Sequence, residues 1–333
     1  MCFFDADTVR RKMNIAGEER RPFLFAVDFE LTEGLFVLDP VAGRKVFFEV
    51  YGKGNRRAFV SEYGTVTSVE AGSAAPVPEP IGFGRYEEMF AVVRRGLLRG
   101  DSFLTNLTVR TPIMTSLSLA DIFVRASAPY LLYVPERFVC FSPERFVCID
   151  DGLISTNPMK GTIRADVPDA ERVILADFKE TAEHNTIVDL LRNDLSINAS
   201  GVHVERFRYL DRIALRGGDI LQVSSEIVGR LGDGYLARLG NIIFDMLPAG
   251  SVSGAPKSST VRIIRESEGI PRGYYTGVFG YFDGRRLDSG VLIRFVEQSG
   301  GEMFFRSGGG ITAYSDCRSE YDEVMEKIYF PFV

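Results

Sequence analysis

Strand-like segments in this chain arrive in runs, and helical segments stand between the runs. FLFAVDF, GLFVLD and KVFFEV follow one another early, so the first 70 residues read as short strands and turns. RYEEMFAVVRRGLLRGD then has helical spacing: Tyr86, Met89, Phe90, Val93 and Leu97 form one stripe, and Gly100 ends it. FLTNLTV and YLLYV read as strands. The helical segment DFKETAEHNTIVDLLRND leads into the strand DILQVSSEIVG, and YLARLGNIIFDML and SSTVRIIRESEG read as helices. The tail holds three strand candidates (YYTGVFGYF, SGVLIRFVE, EMFFRS) and a last helix, SEYDEVMEKIYF. A doubly wound parallel sheet needs strict alternation of strand and helix, so this order predicts an α+β fold with antiparallel sheets. PERFVC at Pro135 to Cys140 recurs at Pro143 to Cys148, which predicts two neighbouring antiparallel strands. The Pro- and Gly-rich run from Ala71 to Gly84 reads as a linker or long loop. It separates a strand-rich segment, residues 1–80, from a main domain, residues 81–333, and the two are expected to form one interwoven unit.

With 333 residues, 45% of them hydrophobic, the chain is ample for a sizeable core. A formal charge of −6 argues against a general nucleic-acid binder, which needs a basic face, but leaves room for a small anion held by a few local cations. The four cysteines, Cys2, Cys140, Cys148 and Cys317, lack zinc-like spacing, and His184 and His203 are the only histidines. MCFFDADTVRRK has acids early and no long apolar run, unlike a signal peptide. No stretch approaches the roughly 20 apolar residues of a membrane span. A cytoplasmic protein is the expectation.

Several residues are chemically suggestive. Glu180 and Glu183 stand three apart on a predicted helix, and Ile187, Leu190 and Leu191 continue the stripe from Glu183. A carboxylate in line with an apolar stripe points inward, where it must be paired or bind metal. Glu320, Glu323 and Lys327 share a second helix face. Two such pairs could make an oxygen-rich site for Mg²⁺; solvated Glu–Lys pairs at helical spacing are the plain alternative. PAGSVSGAPKSS, Pro248 to Ser259, fails as a Walker loop because Ala255 and Pro256 separate its glycine from Lys257. Gly308, Gly309 and Gly310 either let backbone N–H groups approach an anion or make a tight turn. Arg294 lies in a strand-like run of apolar residues, where a buried guanidinium needs an anion. His184 reads as a base or as an ordinary helix-face histidine. Lys160, in STNPMKGTIR, reads as a turn lysine or as one held in a site.

Nine segments in order carry a resemblance: GDSFLTNL, FSPERF, NPMKGT, ETAEHNTIVDLLRND, PAGSVSGAPK, RGYYTGVFGY, LIRF, SGGGI and SEYDEVMEK. Together, across about Arg85 to Lys327, they resemble the chorismate-utilising enzymes. The resemblance implies large antiparallel sheets covered by helices, with the active site between them. It implies Mg²⁺ ligands at Glu183 and Glu323, with Glu180 and Glu320 as the second acids of the same helices. It implies a chorismate carboxylate held by Tyr275 and Arg294, backbone N–H groups from Gly308, Gly309 and Gly310, and Lys327 neutralising a carboxylate near the metal. Gly161 and Thr162 would line the same site, and Glu144 falls at the acid position. Within the family, P-M-K-G-T is similar to aminodeoxychorismate synthases, whereas anthranilate synthases carry alanine in place of the lysine. Lys160 is then expected to be a covalent nucleophile, its pKa lowered by partial burial and neighbouring positive charge.

Leu104 stands where water-adding members carry a lysine base and aminating members a glutamine, which disfavours water addition. Gln222 stands where the family has a histidine thought to help the hydroxyl leave. No tryptophan-binding segment is recognisable near the N-terminus. No cysteine sits in a glutaminase-like elbow, so the resemblance implies a separate glutamine amidotransferase subunit that supplies ammonia. Two alternatives stay open: anthranilate synthase component I, and a non-catalytic chorismate-binding regulatory partner.

Overall fold

A computed structural model describes residues 2–64, 76–213 and 219–332. The first part of the chain forms β1 (Phe3–Asp5), α1 (Ala6–Glu18), β2 (Phe23–Val27), β3 (Glu33–Leu38), β4 (Phe47–Val50), β5 (Lys53–Gly54) and α2 (Arg56–Tyr63). Next come β6 (Val77–Pro78), α3 (Phe83–Leu98), β7 (Leu104–Met114), α4 (Leu119–Arg125), β8 (Tyr130–Val134) and β9 (Phe138–Ser142). β10 (Arg145–Asp150), β11 (Leu153–Thr156), β12 (Met159–Arg164), α5 (Ala170–Ala176), α6 (Phe178–Ser196), β13 (Ala199–Ile213) and β14 (Ile220–Leu231) follow. The last part holds α7 (Leu239–Asp245), β15 (Gly254–Ala255), α8 (Lys257–Glu268), β16 (Val278–Phe282), β17 (Leu287–Val291), β18 (Phe295–Ser299), β19 (Glu302–Ile311) and α9 (Cys317–Glu326).

The strands make two large sheets. One runs β1-β3-β2-β16-β17-β10-β11-β14-β12, with β13 on the other side of β14. The second runs β15-β7-β19-β18-β9-β8-β4-β5, with β6 on β7. Every pairing between these strands is antiparallel, as the α+β reading requires.

Alternation of side chains along each strand sorts the core into layers. Phe23, Phe25 and Val27 of β2 pack toward α1, α6 and α7, with Met13, Ile187 and Ile242. Leu24 and Ala26, their neighbours in sequence, point the other way, into a core shared with Phe48, Tyr130 and Phe138 of the second sheet. The far face of the second sheet packs Leu131, Tyr133 and Val139 against Ile122 and Phe123 of α4. The layers are helices, sheet, sheet, helices, with the central strands of each sheet buried on both faces, while β12 and β13 at one end hold no buried residue. That explains the near-continuous apolar runs, such as FLFAV, in which all five residues are buried.

Four expectations need correction. The first 70 residues are not all strands and turns, because α1 and α2 lie among them. Asp5 caps α1 by accepting from Thr8 N–H, and Ala6, Val9, Met13 and Ala16 bury its inner stripe. The PERFVC copies do not pair: β9 lies in the second sheet and β10 in the first, so the chain changes sheets between them. SGVLIRFVE is two strands, β17 and β18, separated at Leu292–Arg294 by another change of sheet, and Arg294 has a left-handed φ of +51°. The glycine run at residues 308–310 is no turn but part of β19. The early portion of the linker-like run, Ala71 to Ala75, lies outside the described residues.

Candidate active site

The site forms where the chain changes sheets. The β9–β10 crossing and the β17–β18 crossing are hydrogen-bonded to each other: Val291 N–H donates to Glu144 O at 3.1 Å, and Phe141 N–H to Arg294 O at 3.0 Å. They bring Glu144 and Arg294 to one cavity of about 560 Å³. Lys160, Gly161, Thr162, Glu180, Tyr275, Gly308, Gly309, Gly310, Glu323 and Lys327 also line it. Two expected residues stand behind the wall. Glu183 is 5% exposed and reaches the cavity through Lys160, while Glu320, 2% exposed, lies under β19 against the Gly309 backbone.

Helix geometry accounts for the acids. Asp177 accepts from Glu180 N–H at 2.9 Å and so fixes the start of α6. Counting from there, Glu180, Glu183 and Ile187 share a face, and that face turns to β12. Lys160 Nζ meets Glu183 Oε2 at 2.6 Å. Burial disfavours the ammonium, but Glu183, backed by Glu180 and Glu323, outweighs it and holds the Lys160 amine above its usual pKa. This reverses the expected lowering, because the charges around Lys160 are carboxylates and not cations. Burial, together with the like charges of Glu183, Asp177 and Glu323, pushes Glu180 up despite Lys160.

The opposite wall is cationic. Arg294 donates to Lys327 O at 2.8 Å, and its guanidinium stacks over the Tyr329 ring at 4.7 Å. Lys327 Nζ lies 2.7 Å from Glu323 Oε1 and donates to Gly308 O at 2.9 Å. β18 pairs with β19 only over Glu302–Arg306, so the glycine stretch beyond has one edge turned to the cavity. Asn106 N–H donates to Ser253 O and Thr108 N–H to Glu268, both away from β19. Their cross-strand partners Gly310 and Gly308 therefore also turn their N–H groups outward, to that open edge. Gly309 instead faces β7, so the expected three-glycine donor set reduces to Gly308 and Gly310. Tyr275 is 3% exposed, and burial pushes its phenol pKa up, keeping it neutral.

Glu144 accepts from Ser251 Oγ at 2.5 Å. Burial raises the Glu144 pKa, against the lowering effects of Ser251, Lys160 and Lys327. A carboxyl whose pKa is raised by burial holds its proton more readily than a free one, which suits a proton donor. Ser251 was not singled out in the sequence, although it lies in PAGSVSGAPK. Lys257 of that loop binds Asp194 at 2.8 Å and Met246 O at 2.6 Å, so it ties the loop to α6 and does not serve a phosphate. His184, on α6 itself, turns to β14, its Nε2 2.7 Å from Ser225 Oγ. Burial first, then Arg208 and Lys160, lower its pKa to about 4, and it takes no part in the cavity. Leu104 is 4% exposed and borders Gly310 beside Lys160, so the wall there is apolar.

The all-oxygen donor set of Glu180, Glu183 and Glu323 suits a hard cation such as Mg²⁺. As positioned, no three His, Cys, Asp or Glu side chains among the described residues stand together at metal-holding distances. The Lys160 ammonium is the cation that meets Glu183. Among the described residues no helix is long and apolar enough to cross a membrane.

The cavity thus sets acids on one wall, cations on the other and a lysine amine between them. Residues 65–332 match the family model described as chorismate binding enzyme, and the chain belongs to that family. It is 46% identical over 324 residues to an uncharacterized PabA-like protein of Haemophilus influenzae, covering 96% of this chain and 94% of that one. It is 33% identical over 292 residues to aminodeoxychorismate synthase component 1 of Bacillus subtilis, covering 81% of this chain and 60% of that one. Among solved structures, anthranilate synthase component I from Streptococcus pneumoniae superposes with TM-score 0.66 at 26% identity, over 82% of this chain and 64% of that one. The menaquinone-specific isochorismate synthase MenF from Escherichia coli superposes with TM-score 0.72 at 16% identity, over 98% and 82%, and shares the fold.

Proposed function

We propose that the chain converts chorismate and ammonia to 4-amino-4-deoxychorismate, with Lys160 as a covalent nucleophile. The observation that carries this reading is a lysine amine inside the cavity, paired with Glu183 and sharing that cavity with Glu144, whose carboxyl pKa burial raises. The similarity to aminodeoxychorismate synthase component 1 supports it. Arg294, Lys327 and the Gly308 and Gly310 N–H groups would hold the substrate carboxylates. Glu183, hydrogen-bonded to Nζ, orients the amine, which must give up a proton to water before it attacks. The neutral amine adds to ring carbon 2, both ring double bonds shift toward carbon 4, and the carbon 4 hydroxyl leaves as water with a proton from Glu144. Ammonia then adds at carbon 4 and expels Lys160. Leu104 keeps an apolar wall where a water-activating base would otherwise stand. Glu183 and Glu323, with Glu180 beside them, would hold Mg²⁺; when bound it supplies positive charge that offsets these acids and the substrate dianion. The reading implies a glutamine amidotransferase partner as the ammonia source and a place in para-aminobenzoate and folate synthesis.

The test is product identification after incubation with chorismate, Mg²⁺ and excess ammonium, with intact-protein mass spectrometry alongside. Aminodeoxychorismate and a Lys160 adduct are expected, and the Lys160→Ala variant should lose the adduct. Anthranilate with pyruvate would assign the other amination, and full-rate amination by Lys160→Ala would remove the nucleophile role.

A further inference from the structure

The strand that carries Lys160 is irregular just at that residue. Between the pairs Met159↔Ser224 and Thr162↔Gln222, β12 holds two residues where β14 holds one. This is a β-bulge, a device that re-aims a side chain out of the regular ladder. Gly161 supports it with a φ of +84°, a conformation that glycine adopts without steric cost.

The bulge is closed by one side chain. Gln222 Nε2 donates to Gly161 O at 2.8 Å, and Gln222 Oε1 accepts from Thr162 Oγ1 at 3.0 Å. These partners are the two residues that follow Lys160. A carboxamide carries a donor and an acceptor side by side, which is what a carbonyl and a hydroxyl on adjacent residues require. β14 itself is a firm platform: it pairs with β11 and β12 on one edge and β13 on the other, and its Leu221 and Val223 are buried. On the far side of the bulge, α5 and α6 approach Gly161 through Ile174 and the Glu180 carboxylate. A lysine on four rotatable bonds loses much side-chain freedom when its amine is fixed, so a rigid backbone origin matters to where Nζ can dwell.

We propose that Gln222 is a positioning residue: its two hydrogen bonds lock the bulge and so aim the Lys160 amine at Glu183 and into the cavity. The chemical consequence rests on the reading of Lys160 as nucleophile; the lock itself is a property of the substrate-free protein. The arrangement gives Gln222 a task that needs no ionisable group at this position.

Lysine reactivity in the intact, substrate-free chain tests the lock. Formaldehyde with cyanoborohydride methylates accessible amines, and peptide mass spectrometry gives a rate for each lysine, with Lys53 and Lys257 as internal references. Gln222→Met keeps side-chain length and loses both hydrogen bonds. The Lys160 rate should rise roughly five- to tenfold in it and by a smaller factor in Thr162→Ala, in line with loss of two and one net hydrogen bonds. An unchanged Lys160 rate in both variants overturns the proposal, and so does an equal rise at every lysine, which would mean general loosening. With chorismate and Mg²⁺, Gln222→Met should slow adduct formation at saturating chorismate and leave the half-saturating concentration unchanged. A raised half-saturation at an unchanged maximal rate would make Gln222 a substrate contact and overturn the positioning role. If the unaltered chain forms no adduct, the nucleophile reading fails, while the methylation rates still judge the lock.

Discussion

At the scale of single residues, the sequence identified types better than states. The inward direction of Glu183 followed from its apolar stripe, and its burial agrees. The protonation of Lys160 did not follow, because three carboxylates separated from it in sequence surround it only after folding. Ser251 was silent for the same reason: its 2.5 Å bond to Glu144 joins residues 107 apart. Glu144 allows a signed prediction. Burial raises its folded pKa above the usual 4.5, so the protonated form favours the fold below that value and this stabilisation is lost as pH rises through the folded pKa. Glu144→Gln has no charge to bury and escapes the loss. Its melting temperature relative to the unaltered chain should therefore climb from about pH 4 to about pH 8 in paired thermal melts. A flat difference would mean that Glu144 titrates as an ordinary carboxylate. The same variant should lower turnover on the order of a hundredfold or more if Glu144 protonates the leaving hydroxyl.

At the scale of elements, helices and strands with clear periodicity were legible, and errors clustered where tertiary context decides. The two PERFVC copies look like hairpin arms, yet the chain between them moves from one sheet to the other. Nothing local marks that change, since either sheet accepts an apolar strand. α1 was missed although Val9, Met13 and Ala16 recur at helical spacing opposite a charged face; its buried stripe also holds the small residues Ala6 and Gly17. Those small residues serve close packing. A Cβ on Gly17 would lie 2.3 Å from Leu236 O, and one on Gly240, at the start of α7, would lie 2.1 Å from Arg10 O. Both obstacles are backbone, so neither can rotate away. Gly17→Ala and Gly240→Ala should each cost about 1–3 kcal/mol, the range for overpacking a filled interior. Urea unfolding would measure it, and a cost near zero would show that α1 can slide on its seat.

At the scale of the whole molecule, the question is what keeps two sheets and their helices in register around the cavity. Arg272, 1% exposed, is bound on every side. It donates to Glu268 twice, at 2.9 and 2.6 Å, to Val252 O at 2.8 Å and to Asn106 O at 2.7 Å, with Thr276 Oγ1 at 3.3 Å. Glu268 in turn accepts from Thr108 N–H, and the Arg272 and Gly273 N–H groups donate to Glu30 from the N-terminal part of the chain. Asn106, Val252 and Thr276 line the cavity, so this buried hub joins its wall to β7, α8 and the loop after β2. Taking both charges out of water is expensive, and the attraction between them only roughly repays it. Removing one partner is far worse, because the other stays buried and unpaired. Arg272→Met should therefore cost about 3–5 kcal/mol. Arg272→Met with Glu268→Leu should be less unstable than the sum of the single changes, since the stranded carboxylate is gone. Denaturant unfolding of the four proteins decides this. Additive losses would mean that the carbonyl contacts of Arg272, and not its pairing with Glu268, hold the hub together.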